Sequence, residues 1–273
     1  MSTVVFLGGG RITAAMLAGL RLSKTRYRLL VHDRNPGKLR DLKKHYKVAV
    51  EPELDSALKQ ADLLIVAVRP DSVRELLGSV ERLLAKTNRG VAGKKRLAIS
   101  LAAGIPLRML SKLTGPAVNW ARAMPSPVCR SGRGLTAVTF PRGAARADRK
   151  RVHDLFARVG QVIEIPESRF DAFTVTYSSS HGYHALAALA GAAQRAGLDR
   201  QTAMTAAAHA LADGILVWRE SKMALDELLR EAATPGGTAA TVMAAMSSAG
   251  YERAVAKGLR AGMARARKNT GLG

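Results

Sequence analysis

Residues 6–13, FLGGGRIT, have the residue types and the spacing of a nucleotide-binding turn. Gly8, Gly10 and Thr13 form a G-x-G-x-x-T pattern directly after an apolar run. In such a turn the first glycine permits a tight bend, the second lets a pyrophosphate approach the backbone, and a small third residue lets the next helix pack on the strand. The N–H groups at the start of that helix attract phosphate. An empty strand-to-helix turn is the alternative. The pattern favours a dinucleotide site that includes Gly8, Gly10, Arg11 and Ile12.

The next predicted strand ends in an acidic and a basic residue, Asp33 and Arg34. An acid about 20 residues after the glycines accepts hydrogen bonds from the ribose of NAD, whereas an arginine accommodates the 2′-phosphate of NADP. The pair therefore leaves NAD and NADP both open, and the basic surroundings favour NADP.

Three more segments, VAVRP, SLAAGIP and RAMPSP, lie at the ends of predicted strands. Ligands of doubly wound sheets bind beyond the carboxyl ends of the parallel strands. Small residues and prolines at these ends allow a cofactor to lie close to the backbone. The further predicted cofactor contacts are Val68, Arg69, Pro70, Ala102, Ala103, Met124 and Pro125.

Short aliphatic runs alternate with amphipathic stretches through the first half of the chain, which predicts βαβ units and a parallel sheet. The predicted strands are 4–7, 28–32, 63–68, 97–101, 117–121, 135–139 and 161–165, and the predicted helices are 12–22, 36–44, 71–84 and 146–159. After Pro166 the chain becomes rich in alanine, with helices expected near 183–196, 200–220, 224–232, 237–248 and 250–268. We therefore expect a Rossmann-type doubly wound domain over residues 1–165 and an all-α domain over residues 166–273.

Composition sets bounds on location and partners. The 273 residues carry 43 Lys+Arg against 21 Asp+Glu, a formal net charge of +22. The basic residues are scattered and are not interleaved with aromatics, which favours a solvated surface over a nucleic-acid patch without excluding one. A single cysteine fits a reducing compartment. Because no signal peptide or bilayer-length apolar run is evident, we expect a soluble cytoplasmic protein. No metal-ligand spacing and no G-x-S-x-G nucleophile elbow is evident.

The order of six segments resembles the pyrroline-5-carboxylate reductase family over nearly the whole chain. These segments are FLGGGRI, AVRP, SLAAGIP, RAMPSP, DAFTVTYSSSHGYHAL and ATPGGTAA. The resemblance implies a helical C-terminal domain that interlocks with a second subunit, and hydride transfer from NAD(P)H to a cyclic imine acid. A homodimer or a larger homo-oligomer is therefore expected.

The substrate-site motifs depart from the family pattern more than the cofactor motifs do. Ser126, Pro127 and Val128 follow RAMP where the family usually has Asn-Thr-Pro. A family stretch with glycines and a helix-starting proline is replaced here by SSSHGY, which brings in His181. The hydroxyl residue that the family places two positions after PGG falls on Ala239.

Two predicted helix starts supply candidate substrate ligands. Backbone N–H groups at a helix start can hold a carboxylate. Read alone, TPGGT is better explained as a helix–helix corner, but the motif order favours a substrate site. Thr234 or Thr238 is expected to cap the following helix. The substrate-binding candidates are Ser178, Ser180, Thr234, Gly236 and Gly237, and the candidate proton donors are Thr238, His181 and Ser179.

The sequence thus predicts an NAD(P)H-dependent reductase of pyrroline-5-carboxylate to proline. One alternative is a related imine or keto-acid reductase with a changed substrate. Another is a homologue without catalytic activity that senses NADP or binds nucleic acid.

Overall fold

A computed structural model describes residues 1–87 and 95–269. Within these residues the strands are β1 (Thr3–Leu7), β2 (Arg28–His32), β3 (Ala49–Val50), β4 (Leu63–Val66), β5 (Arg96–Ser100), β6 (Val118–Pro125), β7 (Gly134–Thr139) and β8 (Gly160–Glu164). The first helices are α1 (Arg11–Leu22), α2 (Pro36–Tyr46), α3 (Leu54–Lys59), α4 (Pro70–Thr87), α5 (Leu107–Thr114), α6 (Arg146–Ala157) and α7 (Glu167–Thr176). The remaining helices are α8 (Ser179–Arg195), α9 (Arg200–Glu220), α10 (Leu225–Ala232), α11 (Thr238–Ser248) and α12 (Tyr251–Lys268).

The strands form one sheet in the order β3-β2-β1-β4-β5-β6-β7-β8. Neighbouring strands are parallel from β3 to β6, and β7 runs antiparallel to β6. Leu7 at the end of β1 is in register with His32 of β2 and Val66 of β4. The segments that follow these three strands therefore leave the sheet side by side, at the edge where doubly wound folds bind ligands.

Alternate residues of the central strands contribute to two separate cores. Val4 and Phe6 pack on one face of the sheet with residues of α1 and α6. Val5 and Leu7 pack on the other face with residues of α4 and α5. A strand covered by helices on both faces reads as a continuous apolar run, because neither side of it meets water. The predicted fold class, a doubly wound sheet followed by helices, is confirmed.

Several short elements were not predicted. The strand β3 and the helices α3, α5 and α7 lie in stretches without a long hydrophobic period. The strand predicted over 117–121 begins as a 3₁₀ turn at Gly115–Ala117, and β6 then continues to Pro125. Antiparallel pairing with β7 extends β6 through RAMP, and this pairing is a long-range feature that local periodicity does not reveal.

By its internal contacts the chain divides into two units. The first comprises Met1–Val175 and Met263–Gly273, and the second comprises Thr176–Gly262. The predicted boundary between residues 165 and 166 stays a prediction. None of the described helices is long and apolar enough to cross a bilayer.

Candidate functional site

The glycine turn after β1 has the geometry that its sequence predicts. Gly8 has φ +113°, and a Cβ placed on it would lie 2.9 Å from both the carbonyl carbon and the carbonyl oxygen of Ala67. The Gly8 N–H donates to His32 O at 2.8 Å, which ties the turn to β2. A Cβ on Gly10 would meet no atom within 4 Å. Only glycine fits at position 8, whereas Gly10 leaves open space in front of the backbone.

Thr13 fits the buried third position of the motif because its hydroxyl group makes a hydrogen bond there. The residue is fully buried, and its Oγ1 donates to Gly8 O at 2.6 Å. A glycine or alanine here could not make this bond. Thr13 therefore fastens the first turn of α1 to the glycine turn, while the N-cap of α1, Gly10, provides no side-chain hydrogen bond.

The carboxylate of Asp33 braces the same turn. Its Oδ2 accepts from Gly9 N at 2.7 Å and its Oδ1 accepts from Asn35 N at 2.8 Å. Burial acts to raise the pKa of Asp33, but the hydrogen bonds from Gly9 and Asn35 and the nearby charge of Lys38 outweigh it, so the pKa lies below the ordinary value of 3.8. In this structure both oxygens are engaged by the backbone. Its predicted contact with a ribose stays a prediction.

Asp33→Asn is expected to lower the free energy of unfolding at pH 7 by about 1–2 kcal/mol, because a hydrogen bond to a charged acceptor is stronger than one to an amide. A carboxyl with a lowered folded-state pKa stabilises the fold above its unfolded pKa and loses that contribution as the pH falls through the folded value. The difference between variant and wild type should therefore shrink progressively as urea unfolding is repeated at pH values falling below 3.8. Asp41→Asn, at an exposed carboxylate of α2, is the matched control and should show little difference at either pH.

A cavity of about 790 Å³ opens over the glycine turn. Seven predicted cofactor residues line it, namely Gly8, Gly10, Arg11, Asp33, Arg34, Val68 and Arg69. Its volume is within the usual range for ligand pockets. Arg34 is exposed and pairs with Glu75 at 2.7 Å, so its guanidinium lies at the cavity rim and not in the protein interior.

Other cavity residues were not predicted. Lys38 lies in the first turn of α2 and its Nζ is 3.6 Å from Asp33 Oδ2. Ser72, Glu75 and Ser79 are spaced along one face of α4 toward the same cavity. A signal for Lys38 is present in the sequence, because Asn35 and Pro36 mark a helix start directly after β2.

The remaining cofactor candidates do not line this cavity. Ile12 lies in the first turn of α1, Pro70 begins α4, and Met124 and Pro125 end β6. Ala102 and Ala103 lie in the loop between β5 and α5. Their roles in cofactor binding stay predictions.

A buried ion-pair network holds the RAMP strand to α7. Arg122 is 2% exposed, and its Nη1 and Nη2 lie 2.8 Å from Glu167 Oε1 and 3.2 Å from Asp171 Oδ1. Its guanidinium also lies 4.3 Å from the ring centre of Phe170. Glu167 Oε1 accepts in addition from Leu107 N at 3.0 Å. The arginine of RAMP, which was not among the predicted site residues, thus links β6, α5 and α7.

The substrate candidates lie in the second unit at the starts of two helices. Ser178 is the N-cap of α8, and its Oγ lies 2.7 Å from Ser180 Oγ. Ser179 and His181 are in the first turn of that helix. Their backbone position is the one predicted for binding an anion, and their roles stay predictions.

The predicted capping of α11 by Thr234 or Thr238 is wrong. Gly237 is the N-cap and makes no side-chain cap hydrogen bond, and Thr238 is the first helical residue. Gly236 has φ +76°, and Gly237 N donates to Thr234 O at 2.9 Å. The turn is therefore closed by this one backbone bond, because the positive φ of Gly236 lets the chain fold back. No capping side chain therefore accepts a hydrogen bond from the first N–H groups of α11.

Comparison with known proteins finds two family profiles. One described as "NADP oxidoreductase coenzyme F420-dependent" matches residues 3–88, and one described as "Pyrroline-5-carboxylate reductase dimerisation" matches residues 167–269. The pyrroline-5-carboxylate reductase of Mycobacterium leprae is 31% identical over 215 residues, covering 78% of this chain and 72% of the relative. That of Mycobacterium tuberculosis is 28% identical over 285 residues, covering 97% and 96%.

Solved structures show the same fold. A crystal structure of Plasmodium falciparum pyrroline carboxylate reductase with NADP bound aligns with a TM-score of 0.84 at 19% identity, covering 98% of each chain. A pyrroline-5-carboxylate reductase structure from Coxiella burnetii aligns with a TM-score of 0.85 at 23% identity, also covering 98% of each chain. At these identities the alignments support the fold alone.

Proposed function

Since this chain belongs to the pyrroline-5-carboxylate reductase family, we propose that it is an NADPH-dependent oxidoreductase that reduces the C=N bond of pyrroline-5-carboxylate to give proline. The single observation that carries the proposal is the glycine turn with its cavity, in a chain that matches a reductase of this family over almost its full length.

The residues present fit a dinucleotide. The backbone of the glycine turn and the first N–H groups of α1 would hold the pyrophosphate, because Gly10 leaves the approach open. Arg34 and Lys38 line the same cavity and would hold the 2′-phosphate of NADP by charge. When bound, the reduced nicotinamide supplies the hydride for the imine carbon. Asp33 accepts a hydrogen bond from Gly9. Its negative charge therefore repels the 2′-phosphate of NADP less than the charge of an unpaired carboxylate would.

Arg34→Ala is expected to raise the Kd of NADPH about tenfold, which corresponds to about 1.4 kcal/mol, and to leave the Kd of NADH nearly unchanged. The reason is that only NADPH carries the phosphate that the guanidinium would contact. Arg40→Ala removes the same charge from an exposed site of α2 that does not line the cavity, and it is the matched control. Fluorescence titration with both cofactors measures the change. Equal weakening for NADH would argue against recognition of the phosphate by Arg34.

Binding of the substrate carboxylate and protonation of the imine nitrogen are the tasks of the helical region. We assign the carboxylate to the helix starts at Ser178–Ser180 and Gly236–Gly237, where first-turn N–H groups can donate to an anion. Thr238, Ser179 and His181 are the candidate donors to nitrogen, and Ala239 removes the hydroxyl found in the family pattern. Among the three, His181 alone carries an imidazole, the side chain that most often transfers protons as a general acid or base.

The exposure of apolar side chains in the helical unit supports a homo-oligomer. Between Thr176 and Gly262 the buried apolar residues are only Ala190, Ala203 and Ala207. Four consecutive residues at the end of α9, from Ile215 to Trp218, are each about half exposed. This small buried apolar surface is not enough to hold a helical unit together by itself. We therefore propose residues 166–273 as the substrate and dimerisation domain.

The proposed location of the protein is the cytoplasm. Burial raises the pKa of the Cys129 thiol to about 11, and in the cytoplasm this thiol stays reduced.

The proposal is tested by following NADPH absorbance with purified protein and pyrroline-5-carboxylate. Turnover that yields proline supports it. Absence of turnover at high enzyme concentration, in a protein that still binds NADPH, would reject the substrate and keep the cofactor. A panel of cyclic imines and small keto acids then tests the second candidate, a reductase with a changed substrate, which the replacements at His181 and Ala239 favour.

A further inference from the structure

The loop between β5 and α5 carries two predicted cofactor residues, Ala102 and Ala103. Ser100 at the end of β5 is in register with Val66, so the loop leaves the sheet beside the segment that contains Val68 and Arg69. The loop bends at Gly104, which has φ +73°. Its far end is fixed where Leu107 N donates to Glu167.

The last turn of α12 packs on this loop within the same unit. A Cβ on Gly104 would lie 2.1 Å from Ala266 O, so the two backbones are in direct contact. Asn269 is 8% exposed, and its Nδ2 donates to Ala103 O at 3.1 Å across 166 positions of sequence. Arg265 Nη1 donates to Asn269 Oδ1 at 2.8 Å.

The chemistry of these partners determines the orientation of the Asn269 amide. A guanidinium can only donate and a backbone carbonyl can only accept, so the amide oxygen must face Arg265 and the amide nitrogen must face Ala103. A side chain held at both ends keeps the carbonyl of Ala103 in one direction. Without Asn269, the carbonyl of the half-buried Ala103 would lose this hydrogen bond, and such a loss costs more free energy than the loss of a bond at the surface.

We propose that Asn269 is a positioning residue for the cofactor. It acts through Ala103, and with Arg265 it holds the loop of residues 101–106 in the one conformation that the dinucleotide binds. This inference rests on the proposed function, because it takes the bound dinucleotide to reach Ala102 and Ala103, which the sequence predicts as cofactor contacts.

The test compares two substitutions in the full-length protein. Asn269→Ala removes the donor, and Asn269→Asp keeps size and shape but turns a carboxylate oxygen toward Ala103 O. Both substitutions are expected to raise the Kd of NADPH about tenfold, as measured by fluorescence titration. The Kd of Asn269→Asp should be at least as high as that of Asn269→Ala. Lys268→Ala, at the exposed neighbouring position, should bind as wild type does.

A second readout needs no cofactor. In the cofactor-free protein, amide hydrogen exchange of residues 102–105 should become several times faster in both Asn269 variants while exchange in β1 and β4 stays unchanged. Unchanged exchange in the loop, an unchanged Kd, or loss of protection through the whole unit would overturn the proposal. If wild type binds NADPH but reduces no imine acid, the proposed function fails and the Kd comparison still decides the role of Asn269. If wild type binds no NADPH, the positioning role is wrong.

Discussion

Arg122→Met is expected to lower the free energy of unfolding by about 3 kcal/mol, the largest stability loss that we predict for a single side chain. Removing one partner from a buried ion pair typically costs about 3–5 kcal/mol, because the opposite charge is left without compensation. Glu167 and Asp171 are each about a third exposed, so water can reach them in the variant and the loss falls at the lower end. Urea unfolding at one fixed protein concentration measures it.

Arg149→Met is the matched control for this experiment. Arg149 also pairs with a carboxylate, that of Glu164, and its guanidinium lies 4.9 Å from the ring centre of Phe140. Its side chain is 34% exposed, against 2% for Arg122. An exposed pair contributes about 1 kcal/mol or less, so the loss should be small. Equal losses in the two variants would mean that burial of Arg122 does not set its contribution.

Gly8→Ala is expected to raise the Kd of NADPH at least about a hundredfold, which corresponds to about 2.7 kcal/mol or more, and also to destabilise the first unit. A side chain at φ +113° is strained by about 1–2 kcal/mol, and its Cβ would press on the carbonyl of Ala67, which is backbone and cannot rotate away. Relief requires the turn to move away from β4, and this movement displaces the N–H groups that would hold the pyrophosphate.

Two further glycine substitutions separate binding from stability. Gly10 has φ −82° and open space around its Cβ position, so Gly10→Ala should fold normally and yet weaken NADPH binding by filling the approach to the turn. Gly78→Ala, inside α4 with no atom within 4 Å of the new Cβ, should change neither property for the worse. Thermal melting and fluorescence titration of the three variants give the comparison. Wild-type affinity in Gly10→Ala would place the pyrophosphate elsewhere.

The glycine turn was predictable because its signal is local. A strand, a glycine with positive φ and a helix start follow each other within a few residues, and the backbone conformations that they need are properties of those residues alone. The positions of the main strands along the chain were also predictable. Their apolar runs are continuous, because helices cover both faces of the sheet.

The use made of each polar side chain was harder to predict. Asp33 has the position of a ribose-binding acid, but its carboxylate accepts from Gly9 and Asn35. Thr13 was predicted only as the small third residue of the motif, but its hydroxyl also fastens the turn. The bond from Thr13 spans only five residues, whereas the bond from Gly9 to Asp33 forms only when β1 and β2 lie side by side.

By itself the sequence determined the doubly wound class, the glycine turn at residues 8–10 and, through its motif order, the family, because these depend on short segments read in order. Only the tertiary structure revealed the network around Arg122 and the bond from Asn269 to Ala103. Those contacts join residues 45 and 166 positions apart. No local period or spacing encodes such a pair, because it forms only when the sheet and the helices have packed around it.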